Sequence, residues 1–282
     1  MASPYLKKPE WLKIRLANTE EFAQTEKIIT ERHLNTICIS GKCPNRCECW
    51  NRGTATFMIG GEICTRSCKF CNTLSGKPKP LDVNEPGKVA ESIKLMHLRH
   101  VVITSVDRDD LPDLGAGHWC TTIHKIKELN PDVTIEVLIP DFQGKVALIE
   151  KIVDASPNVI SHNIETVRRL TPVVRSAANY DKSLSVLYEI SQRGIKTKSG
   201  LMLGLGEKMN EVLDTMDDLR AAGCAVLTMG QYLQPTRNHY PVHQYVSLEM
   251  FAHYKEEAIK RGFQYVESGP LVRSSYYAEK HI

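Results

Sequence analysis

The sequence predicts an α/β fold in which parallel strands form a partial (β/α)6 TIM-type barrel, with an N-terminal cysteine-rich arm and a C-terminal extension. From about residue 54 onward, strand-like runs alternate with helix-like runs at a spacing of roughly 30 to 40 residues, which is the length of one strand-helix unit. Polar clusters follow three of the predicted strands, and the carboxyl ends of parallel barrel strands share one mouth. A doubly wound parallel sheet is the second possibility, but no glycine-rich dinucleotide fingerprint follows the first strand.

Six strands and five helices make up the predicted barrel. The strands are runs of apolar and β-branched residues, expected at Ala55 to Ile63, His100 to Val106, Thr134 to Pro140, Val159 to Glu165, Ile195 to Leu205 and Ala225 to Leu233. The helices are amphipathic segments, expected at Val89 to Leu98, Thr121 to Leu129, Val146 to Ala155, Ser183 to Arg193 and Met209 to Ala222. Right-handed crossovers place such helices on one face of the sheet and curl it into an open or closed barrel.

The chain divides into three predicted regions, an arm, a barrel and a C-terminal segment, at residues 1–53, 54–262 and 263–282. Within the arm, Asn18 is a candidate helix cap to which Glu21 can reach back. Phe22, Ile28 and Ile29 then supply a partly apolar helix face.

Composition indicates one globular chain of 282 residues, with 42% hydrophobic and 24% charged residues. A chain of this length can bury a sizeable core without a disulfide framework. The net charge of +3, from 36 basic against 33 acidic side chains, indicates neither a nucleic-acid groove nor a membrane-binding face. The first residues lack the apolar core of a secretory signal, so a cytoplasmic location with reduced thiols is expected.

Seven of the nine cysteines fall within 34 residues, where random placement would put about one. Such clustering in a reducing compartment indicates a metal site. The seven are Cys38, Cys43, Cys47, Cys49, Cys64, Cys68 and Cys71. The other two, Cys120 and Cys224, read as small buried apolar residues.

The cysteines form two sets of three. Cys64, Cys68 and Cys71 have the spacing C-x3-C-x2-C, which lets one loop hold three irons of a cubane cluster and leave the fourth open. Structural zinc is the alternative, but it would need a fourth ligand at finger-like spacing. The upstream set reads C-x4-C-x5-C if it comprises Cys38, Cys43 and Cys49, or C-x4-C-x3-C if Cys47 replaces Cys49.

The C-x3-C-x2-C loop, with the aromatic Phe70 before its third cysteine, resembles the radical SAM superfamily. From about Thr36 to Ala278 the chain closely resembles the lipoyl synthase family within it. The motifs that carry this second resemblance are CPN at 43–45, ECW at 48–50, TSVDRDDL at 104–111, HNIET at 162–166, KSGLMLGLGE at 198–207, GQYLQP at 230–235 and RSSY at 273–276. Glu48 and Trp50 align Cys49, rather than Cys47, with the third ligand of the family's upstream set.

This resemblance implies two 4Fe-4S clusters and S-adenosyl-L-methionine as cofactors. One cluster binds S-adenosylmethionine and cleaves it to a 5′-deoxyadenosyl radical, and an auxiliary cluster supplies sulfur for insertion at C6 and C8 of an octanoyl chain. Ser275, in preference to Ser274, is the implied fourth ligand of the auxiliary cluster. A solvated turn is the ordinary reading of two serines near a C-terminus.

The resemblance also implies partners. The octanoyl chain would be joined to a lysine of a lipoyl carrier domain or H protein, and an electron donor such as flavodoxin or ferredoxin would reduce the cluster. A monomer without nucleic-acid or membrane partners is expected. The rival readings are a zinc-stabilised interaction module and a radical SAM enzyme of the biotin synthase or methylthiotransferase kind; the upstream cysteines and RSSY argue against both.

Seven further residues are predicted to contact the cofactor or substrate because they lie at or beyond strand ends, or beside glycines that permit close backbone approach. Asn163 and Glu165 alternate on one strand, although a polar layer inside the barrel would explain them as well. Arg175 either pairs with a carboxylate or is an exposed helix arginine. The remaining four are Thr104, Ser105, Lys198 and Glu207.

Overall fold

The computed structural model describes residues 6–12, 19–175 and 177–281. Seven parallel strands of these residues form one sheet whose spatial order follows the chain. They are β1 (Thr56–Ile59), β4 (His100–Ser105), β5 (Thr134–Leu138), β6 (Val159–Ser161), β7 (Lys196–Leu203), β8 (Val226–Gln231) and β9 (Tyr265–Gly269). A small parallel pair, β2 (Ile63–Cys64) and β3 (Leu74–Ser75), projects beside it. The predicted parallel α/β architecture is therefore confirmed.

All six predicted strands are present, each shorter than predicted. The expected run from Ala55 to Ile63 divides because Gly60 and Gly61 have φ values of +84° and +98°, at which the chain turns out of β1 into β2. The seventh strand, β9, was not predicted. Only Val266 is buried among its five residues, so its sequence lacks the apolar run that marks the inner strands.

Helices cover the outside of the sheet. Between the strands lie α4 (Glu85–Leu95), α5 (Ala116–Leu129), α6 (Val146–Asp154), α7 (Thr171–Val174), α8 (Tyr180–Ser191), α9 (Met209–Ala221) and α10 (Leu248–Lys260). Each longer helix buries one apolar stripe against the strands, as Ile149 and Ile152 of α6 do. No helix of the described residues is long and apolar enough to cross a membrane.

The arm contains α1 (Glu20–Glu31), α2 (Ile37–Ser40) and α3 (Arg46–Asn51). The expected cap Asn18 lies outside the described residues, and the Thr19 hydroxyl accepts the Phe22 backbone N–H at 3.4 Å. Phe22 and Ile29 are buried as expected, and the Phe22 ring lies 5.1 Å from that of Trp50. The arm then pairs with the outer edge of β1 through an antiparallel bridge between Thr36 and Phe57.

A buried ion pair lies inside the barrel toward the amino ends of the strands. The Lys198 ammonium donates to both carboxylate oxygens of Glu136, at 2.8 and 3.0 Å, and the Ser161 hydroxyl donates to one of them at 3.0 Å. All three side chains are fully buried. Each charge is therefore tolerated only because the other neutralises it.

Replacing Lys198 by Ala should lower the free energy of unfolding by about 3–5 kcal/mol, because the Glu136 carboxylate would stay buried without its partner. Urea unfolding monitored by circular dichroism measures this loss. The double variant Lys198→Met with Glu136→Gln removes both charges at similar volume and should recover most of the stability. A loss below about 1 kcal/mol in the single variant would mean that the pair does not stabilise this part of the barrel.

Candidate active site

One cavity of about 650 Å³ is bordered by parts of the chain that are far apart in sequence. Its wall includes residues from the carboxyl ends of the strands, among them Ser105, Asn163 and Met202. It also includes six thiols and two hydroxyls from the arm, the loop after β2 and the C-terminal segment: Cys38, Cys43, Cys49, Cys64, Cys68, Cys71, Ser274 and Ser275. The fold thus brings both predicted cysteine sets and the predicted serine to one place.

The first cysteine set begins at Cys64, the last residue of β2, and continues on the loop that follows it. The Cys64 sulfur accepts the backbone N–H groups of Arg66 and Asp107 at 3.4 and 3.3 Å. Burial, reinforced by the nearby Asp107 carboxylate, raises the pKa of Cys64 to about 12. A thiol with this pKa is protonated at neutral pH unless a bound cation stabilises its thiolate form.

Arg66 ties this loop to the barrel. Its guanidinium donates to Asp109 at 2.7 and 2.9 Å and to Asp141 at 2.7 Å, and it is almost fully buried. Burial alone would raise the pKa of Asp141, but the hydrogen bonds and charge of Arg66 lower it to about 2. Asp109 follows β4 and Asp141 follows β5, so one side chain fixes the cysteine loop to two strand ends.

The second set lies in the arm, around α2 and α3. Burial, reinforced by the neighbouring Cys38 and Cys43, raises the pKa of Cys49 to about 12, so the three thiols are within electrostatic reach of one another. Burial likewise raises the pKa of Cys43 to about 11, against the opposing charge of Arg273. None of the nine cysteines forms a disulfide.

Cys47 is placed differently from Cys49. Two residues apart on α3, the two side chains point to different sides of the helix. Cys47 is buried in the hydrophobic core with Trp50, whereas Cys49 borders the cavity.

The C-terminal serines reach the cavity because two glycines leave room for them. A Cβ at Gly230 would lie 2.0 Å from the Val272 carbonyl oxygen, and a Cβ at Gly200 would lie 3.0 Å from the Ser274 hydroxyl oxygen. Asn163 donates to that hydroxyl at 2.7 Å. Among the described residues, no side chain or backbone group makes a comparable hydrogen bond to the Ser275 hydroxyl.

Five of the seven predicted contact residues border the cavity: Thr104, Ser105, Asn163, Glu165 and Arg175. The Ser105 hydroxyl oxygen and the Asn163 carbonyl oxygen are buried there without a hydrogen-bond partner. Burial raises the pKa of Glu165, while Arg175 and the amide of Asn163, 3.1 Å away, act against this rise. Arg175 itself is buried and donates to the Ser183 hydroxyl at 2.9 Å, so the exposed-arginine alternative is wrong.

Lys198 and Glu207 do not line the cavity. Lys198 is the third residue of β7 and lies toward its amino end, in the ion pair with Glu136. The Glu207 carboxylate accepts the backbone N–H groups of Gly204 and Leu205 and so closes the turn that follows β7.

Several cavity residues were not predicted as site residues. Asp107, His162 and Arg273 lie inside motifs recognised in the sequence, so their neighbours could have pointed to them. Asp141 follows β5 without any motif. His162 is buried, with its ring nitrogens 3.0 Å from the Ile139 carbonyl and the Ser183 hydroxyl, and burial lowers its pKa to about 4, which keeps it neutral.

The donor set fits two iron-sulfur clusters and a polar cofactor. Three thiols border the cavity from the arm and three from residues 64–71, and the raised pKa values of Cys43, Cys49 and Cys64 mean that a bound cation would be needed to stabilise those thiolates. Orphaned oxygens of Ser105 and Asn163 offer polar contacts to a bound molecule. Among the described residues, no three His, Cys, Asp or Glu side chains are grouped to hold a single metal ion.

Comparisons with known proteins agree with this chemistry. Residues 58–219 match the family model of the Radical SAM superfamily. The lipoyl synthase of Parabacteroides distasonis is 64% identical over 278 residues, covering 99% of both chains. That of Bacteroides thetaiotaomicron is 62% identical over 277 residues, covering 98% of each.

Solved structures share the fold at low sequence identity. Streptococcus suis SuiB bound to S-adenosylmethionine has a TM-score of 0.60 at 11% identity, covering 80% of this chain and 55% of that chain. The methylornithine synthase PylB has a TM-score of 0.55 at 12% identity, covering 89% of this chain and 79% of that chain. These likenesses concern the fold alone. The relatives that match over nearly the whole chain, together with the superfamily match, establish that the chain belongs to the lipoyl synthase family of the radical SAM superfamily.

Proposed function

We propose that this chain inserts two sulfur atoms, at C6 and C8, into an octanoyl chain held in amide linkage on a lysine of a lipoyl carrier domain or H protein. Its family makes it a radical SAM sulfur-inserting enzyme that uses S-adenosylmethionine, a 4Fe-4S cluster and an octanoylated carrier. The observation that carries the proposal is the shared cavity, which both cysteine sets and the C-terminal serines border. Groups at one cavity can act on one substrate chain.

Cys64, Cys68 and Cys71 would hold the cluster that binds S-adenosylmethionine, and Arg66 would keep their loop in place. When bound, this cluster and S-adenosylmethionine supply hydrogen-atom abstraction from unactivated C–H bonds, and an auxiliary cluster supplies sulfur. The protein itself positions the substrate and shields it from water. Apolar side chains in the wall, among them Met58 and Met202, would pack along the octanoyl chain and exclude water.

Cys38, Cys43, Cys49 and Ser275 would hold the auxiliary cluster. The hydrogen bond from Asn163 to Ser274 supports Ser275 as the ligand, because it engages the neighbouring hydroxyl. The core position of Cys47 supports Cys49. A serine oxygen is a harder and weaker ligand for this iron than a thiolate, so iron held by Ser275 can leave when the sulfur is used.

Thr104, Ser105, Asn163, Glu165 and Arg175 would contact S-adenosylmethionine. The Ser105 hydroxyl can donate to its carboxylate or accept from its amine, and the orphaned Asn163 oxygen can accept from an amine or a ribose hydroxyl. Arg175 beside Glu165 favours the charged form of that carboxylate, which a cationic cofactor would favour further. For Lys198 and Glu207 the contacts support roles in the fold instead.

We also propose three regions of the chain, namely an arm at 1–53, a barrel at 54–262 and a C-terminal segment at 263–282. The protein would be a cytoplasmic monomer, and an electron donor such as flavodoxin or ferredoxin would reduce its cluster. The last region contributes β9 to the sheet, so these regions would not fold separately. Nine cysteines without a disulfide suit a reducing compartment.

Cys68→Ala should abolish S-adenosylmethionine cleavage, because two thiolates cannot hold a cluster that needs three. The measurement is 5′-deoxyadenosine formation under anaerobic, reducing conditions. The iron content should fall from about eight atoms per chain in the parent to about four in the variant. Formation of 5′-deoxyadenosine at the parent rate would show that this set does not hold the cleaving cluster.

Cys43→Ala is the matched variant in the other set. This variant should also retain about four iron atoms per chain. It should still form 5′-deoxyadenosine but yield no lipoyl product. Product analysis by mass spectrometry of an octanoylated peptide checks this outcome. Lipoyl product from this variant would remove the sulfur-donor role.

Ser275→Ala should lower the single-turnover lipoyl yield at least tenfold, because it opens a coordination site on the auxiliary cluster, while Ser274→Ala should have a milder effect. Ser275→Cys should assemble the cluster but release its sulfur poorly, since a thiolate binds iron more strongly. Cys47→Ala should keep both clusters and most activity. Near-parent yield from Ser275→Ala, or loss of one cluster from Cys47→Ala, would contradict the corresponding assignment.

A further inference from the structure

The C-terminal segment is fastened to the arm by a group of contacts on and beside α3. The Glu48 carboxylate accepts the hydroxyls of Tyr276 and Tyr277 at 3.0 and 3.1 Å. Arg52 forms an ion pair with Glu279, and its guanidinium carbon lies 4.4 Å from the centre of the Tyr277 ring. We call these five residues, Glu48, Arg52, Tyr276, Tyr277 and Glu279, the latch.

The latch lies next to the groups proposed to hold the auxiliary cluster. Glu48 directly precedes Cys49, and Tyr276 directly follows Ser275. A further contact lies on the other side of the serines, where the Asn45 amide donates to the Leu271 carbonyl oxygen at 2.6 Å. The segment that carries Ser275 is therefore tied to the arm both before and after the serine.

The chemistry of these contacts suits a reversible fastening. Glu48 is exposed, and Arg52 and Glu279 retain about a third or more of their side-chain exposure, so water can replace each contact without opening the core. A carboxylate that accepts two phenol hydroxyls makes charge-assisted hydrogen bonds, which are stronger than neutral ones. Because more than 220 residues separate Glu48 from its tyrosine partners, no local chain connection would replace these contacts if they were lost.

We propose that Glu48 and Arg52 are positioning residues that hold the serine segment against the arm and thereby set how readily the auxiliary cluster loses the iron on its serine ligand. This inference rests on the proposed role of Ser275. When the latch is closed, the ligand oxygen is confined beside the three arm thiols. When it opens, the serine swings away with its segment, and that iron and the cluster become accessible to solvent.

The mechanical part of the proposal is tested on the full-length chain without clusters, by hydrogen exchange of residues 271–281. Glu48→Ala and the double variant Tyr276→Phe with Tyr277→Phe should each raise exchange of this segment about tenfold, because each removes both charge-assisted hydrogen bonds. Glu26→Gln, an exposed carboxylate on α1 outside the latch, is the control and should leave exchange at the parent rate. Combining Glu48→Ala with the tyrosine changes should add nothing further, since both remove the same interaction.

The positioning part is tested by iron release to a chelator in a background of Cys64→Ala, Cys68→Ala and Cys71→Ala, which leaves only the auxiliary set. Here Glu48→Ala and Arg52→Ala should each speed release of the first iron about tenfold over Glu26→Gln, with a changed electron paramagnetic resonance signal of the reduced cluster. In the complementary background of Cys38→Ala, Cys43→Ala and Cys49→Ala, the same variants should leave release from the other cluster unchanged. A merely stabilising contact would alter both clusters or neither.

The outcomes separate this inference from the proposed function. If the auxiliary-only background binds no iron or sulfide, the proposed function fails, and the inference about iron release falls with it. If that background binds a cluster but Glu48→Ala and Glu26→Gln release iron at equal rates, the latch inference alone is overturned. Unchanged exchange of residues 271–281 in Glu48→Ala overturns it as well.

Discussion

The open edge of the barrel is the constraint on which the rest of the structure depends. β1 and β9 are the two ends of the seven-stranded sheet and do not pair with each other, so each has an edge whose backbone groups need partners. The arm supplies them to β1 through Asn35 and Thr36. The C-terminal segment returns from β9 past β8 and β7, where Gly230 leaves room for the Val272 backbone and Gly200 for the Ser274 side chain. The segment at the edge of β1 therefore carries the arm cysteines, and the segment that crosses β8 and β7 carries the serines.

The charged groups of the site follow a common logic of burial and compensation. Arg66 pairs with Asp109 and Asp141, and Lys198 pairs with Glu136, so each of these two buried cations has a carboxylate partner. The hydroxyl oxygen of Ser105, the amide oxygen of Asn163 and one carboxylate oxygen of Asp141 are buried without a hydrogen-bond partner. The ion pairs stabilise the barrel and its cysteine loop, and the unpaired oxygens are available to a bound molecule.

Local spacing and strand order made much of this architecture predictable. The C-x3-C-x2-C array and the strand-helix rhythm each depend on neighbours in sequence, and six strands were identified on that basis. β9 was not predicted because its mostly half-exposed residues do not form an apolar run. Lys198 was expected at the cavity because glycines that permit close backbone approach lie beside it, yet it is near the start of β7, away from the end of the strand that borders the cavity. Two other contacts could not be predicted because their partners are far apart in sequence. Arg66 and Asp141 are 75 positions apart, and Glu48 is at least 228 positions from its tyrosine partners, so neither contact leaves a local sequence pattern.

The contacts of the first cysteine loop also bear on when the two proposed sites become complete during synthesis. Arg66, Asp109 and Asp141 lie in the first half of the chain. The same loop is also held by later residues, because the Lys69 N–H donates to the Val174 carbonyl and the Lys69 carbonyl accepts the Tyr240 N–H, each at 2.8 Å. The proposed auxiliary site would need Ser275 as well. A ribosome that has translated half of the message has therefore specified neither site completely, so both sites would distinguish nearly finished molecules from truncated ones.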